Sequence, residues 1–185
     1  SVILPKFSLT CVSKPASNLG NLTKIWTAHL MHRGRAVLPK TNLKGDFLMT
    51  ERLDMIAWVV YFDPDKKQCD KEKAGKWILQ FYNSEFGDKI CQKAVDEGIV
   101  AQAKHSNAES GVCCFYVEYD DNAAHKRCIK FFLDNDLIRK AKTGRLYNIS
   151  YKLDEQTRSG EYGNDFKAEI KLADFLDPVT REWLV

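Results

Sequence analysis

Apolar and polar positions along this chain recur with two periods. Met55-Ile56-Ala57-Trp58-Val59-Val60-Tyr61-Phe62 is one continuous apolar run, rich in β-branched and aromatic residues. It predicts a buried strand over 55–62. Asp63-Pro64-Asp65 ends it, and residues 63–75 read as a charged, solvated connection. Over 76–82, Trp77, Leu79 and Phe81 alternate and share one face of a second strand. Ser84 then caps a helix that runs to Glu97. Phe86, Ile90 and Ala94 recur every fourth residue as its apolar stripe, and Gly98 stops it.

Residues 99–106 and 112–119 read as two further strands, joined by 107–111, a connection of hairpin length. Asp120 or Asp121 opens a second helix, because its carboxylate can accept the unpaired N–H groups of the first turn. Ile129, Phe132 and Leu133 form its buried face, with His125 and Cys128 beside them, and Lys142-Thr143-Gly144 closes the segment. Residues 145–153 read as a fifth strand, 154–163 as a polar, glycine-bounded connection, and 166–172 as a half-exposed strand. Residues 1–23, with Pro5 and Pro15, read as an irregular lead-in to a single domain over 24–185. Residues 33–53 read as a long basic loop. The succession of strands and helices predicts an α+β fold, with helices packed on one face of a largely antiparallel sheet.

Charge changes this picture in one respect. The net charge is +3, but the first 50 residues hold seven basic groups and one acid, leaving 21 basic and 24 acidic groups in the rest. A uniformly basic nucleic-acid coat is excluded, and a local anion site near the basic quarter is expected. An apolar content of 44% argues against a disordered chain. The longest apolar run falls far short of the ~20 residues that span a bilayer, and Ser-Val-Ile-Leu-Pro-Lys lacks the pattern of a signal peptide. Cys11, Cys69, Cys91, Cys113, Cys114 and Cys128 form no C-x-x-C pair and no ligand pattern with His29, His32, His105 or His125. Reduced, mostly buried thiols are therefore expected, in a cytoplasmic or nuclear protein without metal, cofactor or membrane. No P-loop, H-E-x-x-H motif or Ser/His/Asp set is present.

Three places hold candidate chemistry. On the strand over 99–106, Gln102, Lys104 and Ser106 share one face and Ala101, Ala103 and His105 the other. The polar row faces solvent or lines a groove. In a groove, Lys104 would meet an anion and Ser106 would donate a hydrogen bond. Residues 151–162 offer Lys152, Asp154, Thr157, Arg158 and Tyr162, with Lys152 and Arg158 as partners of Lys104 in a phosphate clamp. Arg33, Arg35, Lys40 and Lys44 add a basic lid, and Trp26 is the tryptophan freest to stack a base, since Trp58 and Trp77 lie inside apolar runs.

"GKWILQF", Ala103-Lys104-x-Ser106, "GVCCFYVEYDDNAAHKRCIKFF" and Tyr151-Lys152-x-Asp154-x-x-Thr157-x-x-Gly160-x-Tyr162 follow in order over about half the chain. They resemble the basophilic-leukaemia-expressed protein family, also labelled a phosphothreonine lyase domain. That family is similar in turn to the mRNA cap-binding translation initiation factor. The resemblance implies a curved antiparallel sheet backed by helices, with a ligand groove on its concave side. The cap-stacking chemistry departs from this chain. The loop Lys66-Lys67-Gln68-Cys69-Asp70 has no aromatic, and Gln102 stands where a phosphate-binding arginine would fall.

Three functions are therefore expected in turn. The first is a binding module for a nucleotide, RNA or similar phosphate ligand on the concave face. The second, implied by the family label, is a β-eliminase acting on a phosphorylated substrate, with a lysine base and a histidine acid. Lys104 and His105 are adjacent on a strand and face opposite ways, which leaves His29, His32 or His125 for the acid. The third is an interaction scaffold using an apolar patch that includes Trp183-Leu184-Val185.

Overall fold

The computed structural model describes the backbone of Lys40–Thr41 and Phe47–Leu48, and residues 50–185 apart from the side chain of Asn164. Lys40–Thr41 (β1) and Phe47–Leu48 (β2) pair as a small antiparallel hairpin. Seven further strands form one sheet: Glu51–Asp54 (β3), Trp58–Phe62 (β4), Ala74–Phe81 (β5), Gln102–Ser106 (β6), Gly111–Glu118 (β7), Ser150–Leu153 (β8) and Ile170–Lys171 (β9). Their order is β3-β4-β6-β7-β5-β8-β9, and every pair is antiparallel. Three α-helices accompany them: Ser84–Asp96 (α1), Asn122–Asp134 (α2) and Asp154–Arg158 (α3). The fold is α+β, as the pattern predicts.

Alternation along the strands builds the core. Val59 and Tyr61 of β4, Ala103 and His105 of β6, and Cys113, Phe115 and Val117 of β7 are buried on one face. Trp77, Leu79 and Phe81 of β5 join them, and α1 and α2 cover this side with Ile90, Cys91, Ala94, Cys128, Ile129 and Phe132. Asn83 caps α1 by accepting from Phe86 N–H at 3.1 Å, one residue earlier than the predicted Ser84. Asp121 caps α2 through Ala124 N–H at 2.9 Å.

Several boundaries differ from the pattern, each for a local reason. The strand expected over 55–62 begins at Trp58. Met55 N–H donates to Trp58 O at 2.8 Å and leaves Ile56-Ala57 as the tip of the β3–β4 hairpin, with Ile56 96% exposed. The basic stretch over 33–53 contains β1, β2 and the first three residues of β3 where a loop is expected. Phe86 is exposed, and Gly87, Ile90, Cys91, Ala94 and Val95 form the buried side of α1. The fifth strand shrinks to Ser150–Leu153, because Leu146 instead bridges Lys140 and buries its side chain in the core. The polar connection contains α3, whose first turn carries Asp154 and Glu155, where the helix dipole favours acids. The last strand shrinks to Ile170–Lys171. Lys167 O is taken by the Gln156 side chain at 3.1 Å, so it is not available to a ladder.

Candidate functional site: a lysine and aromatic face

Residues of the opposite parity form the second face of the sheet, away from α1 and α2. Here register brings distant segments together. Lys104 of β6 lies opposite Val60 and Cys114, and Lys76 of β5 lies opposite both Tyr116 and Lys152. Three lysines from β5, β6 and β8 thus share this face with Trp58 and Tyr116.

Each ammonium has a different setting. Lys104 Nζ stands 4.1 Å from the centre of the Trp58 ring and 5.5 Å from that of Tyr116. It makes no hydrogen bond or ion pair with a described residue. Burial above all pushes its pKa down, with the positive charge of Lys76 in the same direction, against opposing contributions from Cys114 and Asp154. Lys76 is bonded to Asp154, and also donates to Thr157 Oγ1 at 2.9 Å. Lys152 donates to Glu161 O and sits 3.9 Å from the centre of Tyr162 and 4.9 Å from that of Phe166. Burial, then Lys76, lowers its pKa too. Asp154 is the only described carboxylate within ion-pair distance of any of the three.

The predicted residues therefore separate into groups. Lys104, Ser106 and Lys152 lie on one face, and Asp154 and Thr157 reach it through Lys76. Ser106 Oγ accepts from Val112 N–H at 3.1 Å, which ties off the β6–β7 hairpin. Tyr162 covers Lys152 and completes its enclosure. Arg158 turns elsewhere: it is exposed, bonded to Glu155 Oε2 at 2.8 Å and to Lys71 O at 3.4 Å, and it does not join Lys104. Arg33, Arg35 and Trp26 lie outside the described residues. Lys44 lies there too, and Lys40 is described in β1 through its backbone alone.

Lys76, Trp58 and Tyr116 belong to the site although the sequence pattern did not select them. Trp58 sits in an apolar run and reads as core, yet it is half-buried on the lysine face, whereas Trp77 is fully buried as expected. The available signal was parity. Trp58, Val60 and Phe62 share one face just as Lys76 and Ile78 do, but parity alone does not say which face the helices cover.

Both described histidines lie under the helices. His105 Nδ1 faces Ser106 O at 2.8 Å and Nε2 faces Asp88 Oδ1 at 2.9 Å. His125 Nδ1 accepts from Trp77 Nε1 at 3.0 Å, and its Nε2 donates to Tyr119 O at 3.2 Å. Neither stands beside Lys104. Among the described residues no His/Cys/Asp/Glu cluster could hold a metal ion, and no helix is long and apolar enough to cross a membrane. Comparison with protein-family models gives no match, and comparison with curated proteins gives none.

Proposed function

We propose that this chain is a binding module for a phosphate-containing ligand, a nucleotide or RNA, on the lysine and aromatic face of the sheet. One observation carries the reading: Lys104 is desolvated against Trp58 and Tyr116, beside a second lysine, with no described carboxylate bonded to it. A phosphate would supply the missing anion, and a base would find the ring faces of Trp58 and Tyr116. The cap-binding-factor-like form of the α+β fold, with a groove on its concave side, and the resemblance to the basophilic-leukaemia-expressed family belong to this same reading. It takes support from the fully antiparallel sheet with its two long helices on one side.

The test is binding of a fluorescein-labelled oligouridine and of GTP at low salt, to the wild type and to Lys104→Gln. Saturable, salt-sensitive binding that weakens in the variant is the expected result. No binding of either probe at low salt overturns the proposal. The β-eliminase alternative is separated from it by loss of phosphate from a phosphothreonine peptide. Its lysine base would be Lys104; of the histidines offered as its acid, His125 faces the other side of the sheet, as His105 does, and His29 and His32 lie outside the described residues. An interaction scaffold remains the third reading, supported by Trp183, Leu184 and Val185, which are exposed by 43%, 58% and 59%.

A further inference from the structure

A cavity of about 630 Å³ opens on the helix side of the sheet, so it is separate from the lysine face. It lies between the N-terminal half of α1 and the turn Asp136–Arg139 that follows α2. Tyr82, Phe86 and Leu137 present apolar surface to it, over the buried Leu79, Phe81 and Ile90. Cavities of this size with apolar floors and a few polar groups at the rim are the usual form of small-molecule sites.

The rim decides what kind of molecule fits. Asp136 is neutralised by Lys140 Nζ at 2.5 Å. Glu85 and Lys89, of opposite charge and one helical turn apart on α1, also line it. Arg139 remains. Its Nη1 donates to Gln80 Oε1 at 3.3 Å and its guanidinium lies 5.3 Å from the centre of the Tyr147 ring. No described carboxylate is within ion-pair distance of it. A neutral amide and a ring face hold the fork in place at the cavity mouth without consuming its charge. A guanidinium held in this way matches the two oxygens of a carboxylate.

We propose that this cavity binds an apolar monocarboxylate, with its hydrocarbon body against the accessible side chains of Tyr82, Phe86 and Leu137 and its carboxylate on Arg139. The body is held by burial of apolar area, which is non-directional, and the carboxylate sets the orientation.

The experiment titrates the full chain with decanoate and, separately, with decan-1-ol, by calorimetry below the concentration at which either self-associates. Decanoate is expected to bind saturably at one site and more tightly than the alcohol. Arg139→Gln is expected to weaken decanoate about tenfold, the size of a lost charged hydrogen bond, and to leave the alcohol unchanged. Arg139 is exposed, so this variant keeps the fold, and a matching thermal midpoint confirms it. Leu137→Trp, which narrows the rim, is expected to weaken both ligands. Lys104→Gln is expected to change neither, which separates this site from the lysine face. The proposal is overturned by no saturable binding of decanoate, by equal affinity for acid and alcohol, by an unchanged Arg139→Gln, or by loss of decanoate binding in Lys104→Gln.

Discussion

His105 Nε2 lies 2.9 Å from Asp88 Oδ1, and this contact joins β6 to α1 through the floor of the fold. The same oxygen accepts Tyr61 OH at 2.5 Å and pairs with Arg52 Nη1 at 2.9 Å. Since the other ring nitrogen of His105 faces Ser106 O, both partners of the imidazole are acceptors.

Asp88→Ala should therefore leave buried Tyr61 and His105 without their shared acceptor. A loss of about 2 kcal/mol is expected from unsatisfied polar groups of this kind, read as a lower urea midpoint. An unchanged midpoint would contradict the network. Burial works to raise the Asp88 pKa, but bonds from Tyr61 and His105 and the Arg52 charge outweigh it and hold it below the ordinary carboxylate value. Its stabilisation is thus present above the unfolded carboxylate pKa and is lost as pH falls through the lower folded value. Asp88→Asn should flatten that acid limb of the stability profile.

His125 lies buried under the helices, against Trp77. It is neutral, accepting from Trp77 and donating to Tyr119 O, and burial pushes its pKa below 6.5. Its contribution is complete above 6.5 and is lost as pH falls from there toward the folded value. Comparing wild type with His125→Gln by denaturant unfolding from pH 7.5 to 5 isolates it. The wild type should lose more stability over that window than the variant does, and parallel profiles would refute the assignment.

Gly75 sits on the core face of β5 opposite Leu153, directly against the Tyr151 ring. A Cβ there would overlap Tyr151 Oη and Cζ, and Tyr151 is held in turn by its bond to Val117 O at 2.7 Å. Gly75→Ala should cost about 1–3 kcal/mol through overpacking, measured as a lower melting temperature. At Gly144 a Cβ would meet nothing within 4 Å, but φ is +83°, so alanine there should act through backbone strain alone.

Lys104 and Lys152 should not behave alike. Lys104→Gln should leave stability nearly unchanged and reduce the salt slope of RNA binding by about 0.7. Lys152→Gln should destabilise by about 1 kcal/mol, because it empties the seat between Tyr162, Phe166 and Glu161 O. Equal effects of the two on stability would show that the enclosure of Lys152 carries no energy.

Thiol chemistry gives a simple check on burial. Burial pushes Cys114 up to about 11 and Cys128 up to about 12, and half-buried Cys69 is likewise raised to about 11. At pH 7.4 these three should react slowly with a disulfide reagent until denaturant is added. Fast reaction of the native protein, mapped to any of them, would contradict their placement.

What the amino-acid sequence determined by itself is the local order of the fold. Period-two alternation in β5, β6 and β7 and four-residue recurrence in α1 are properties of the backbone geometry. Trp77, Ile90 and Ile129 were accordingly legible as core, and the connection over 107–111 as a hairpin turn. Tertiary structure decided how the segments combine. Strand order, register and the choice of helix-covered face come from packing between residues far apart in the chain, which no local period encodes. Lys104, Lys76 and Lys152 became neighbours only when β5 paired with β7 and β8 and β6 paired with β7. Arg158 left the expected clamp because α3 turned its side chain toward Glu155. Trp58 moved from expected core to the lysine face because both faces of a buried strand can be apolar in sequence, and only the position of α1 and α2 says which of them is covered.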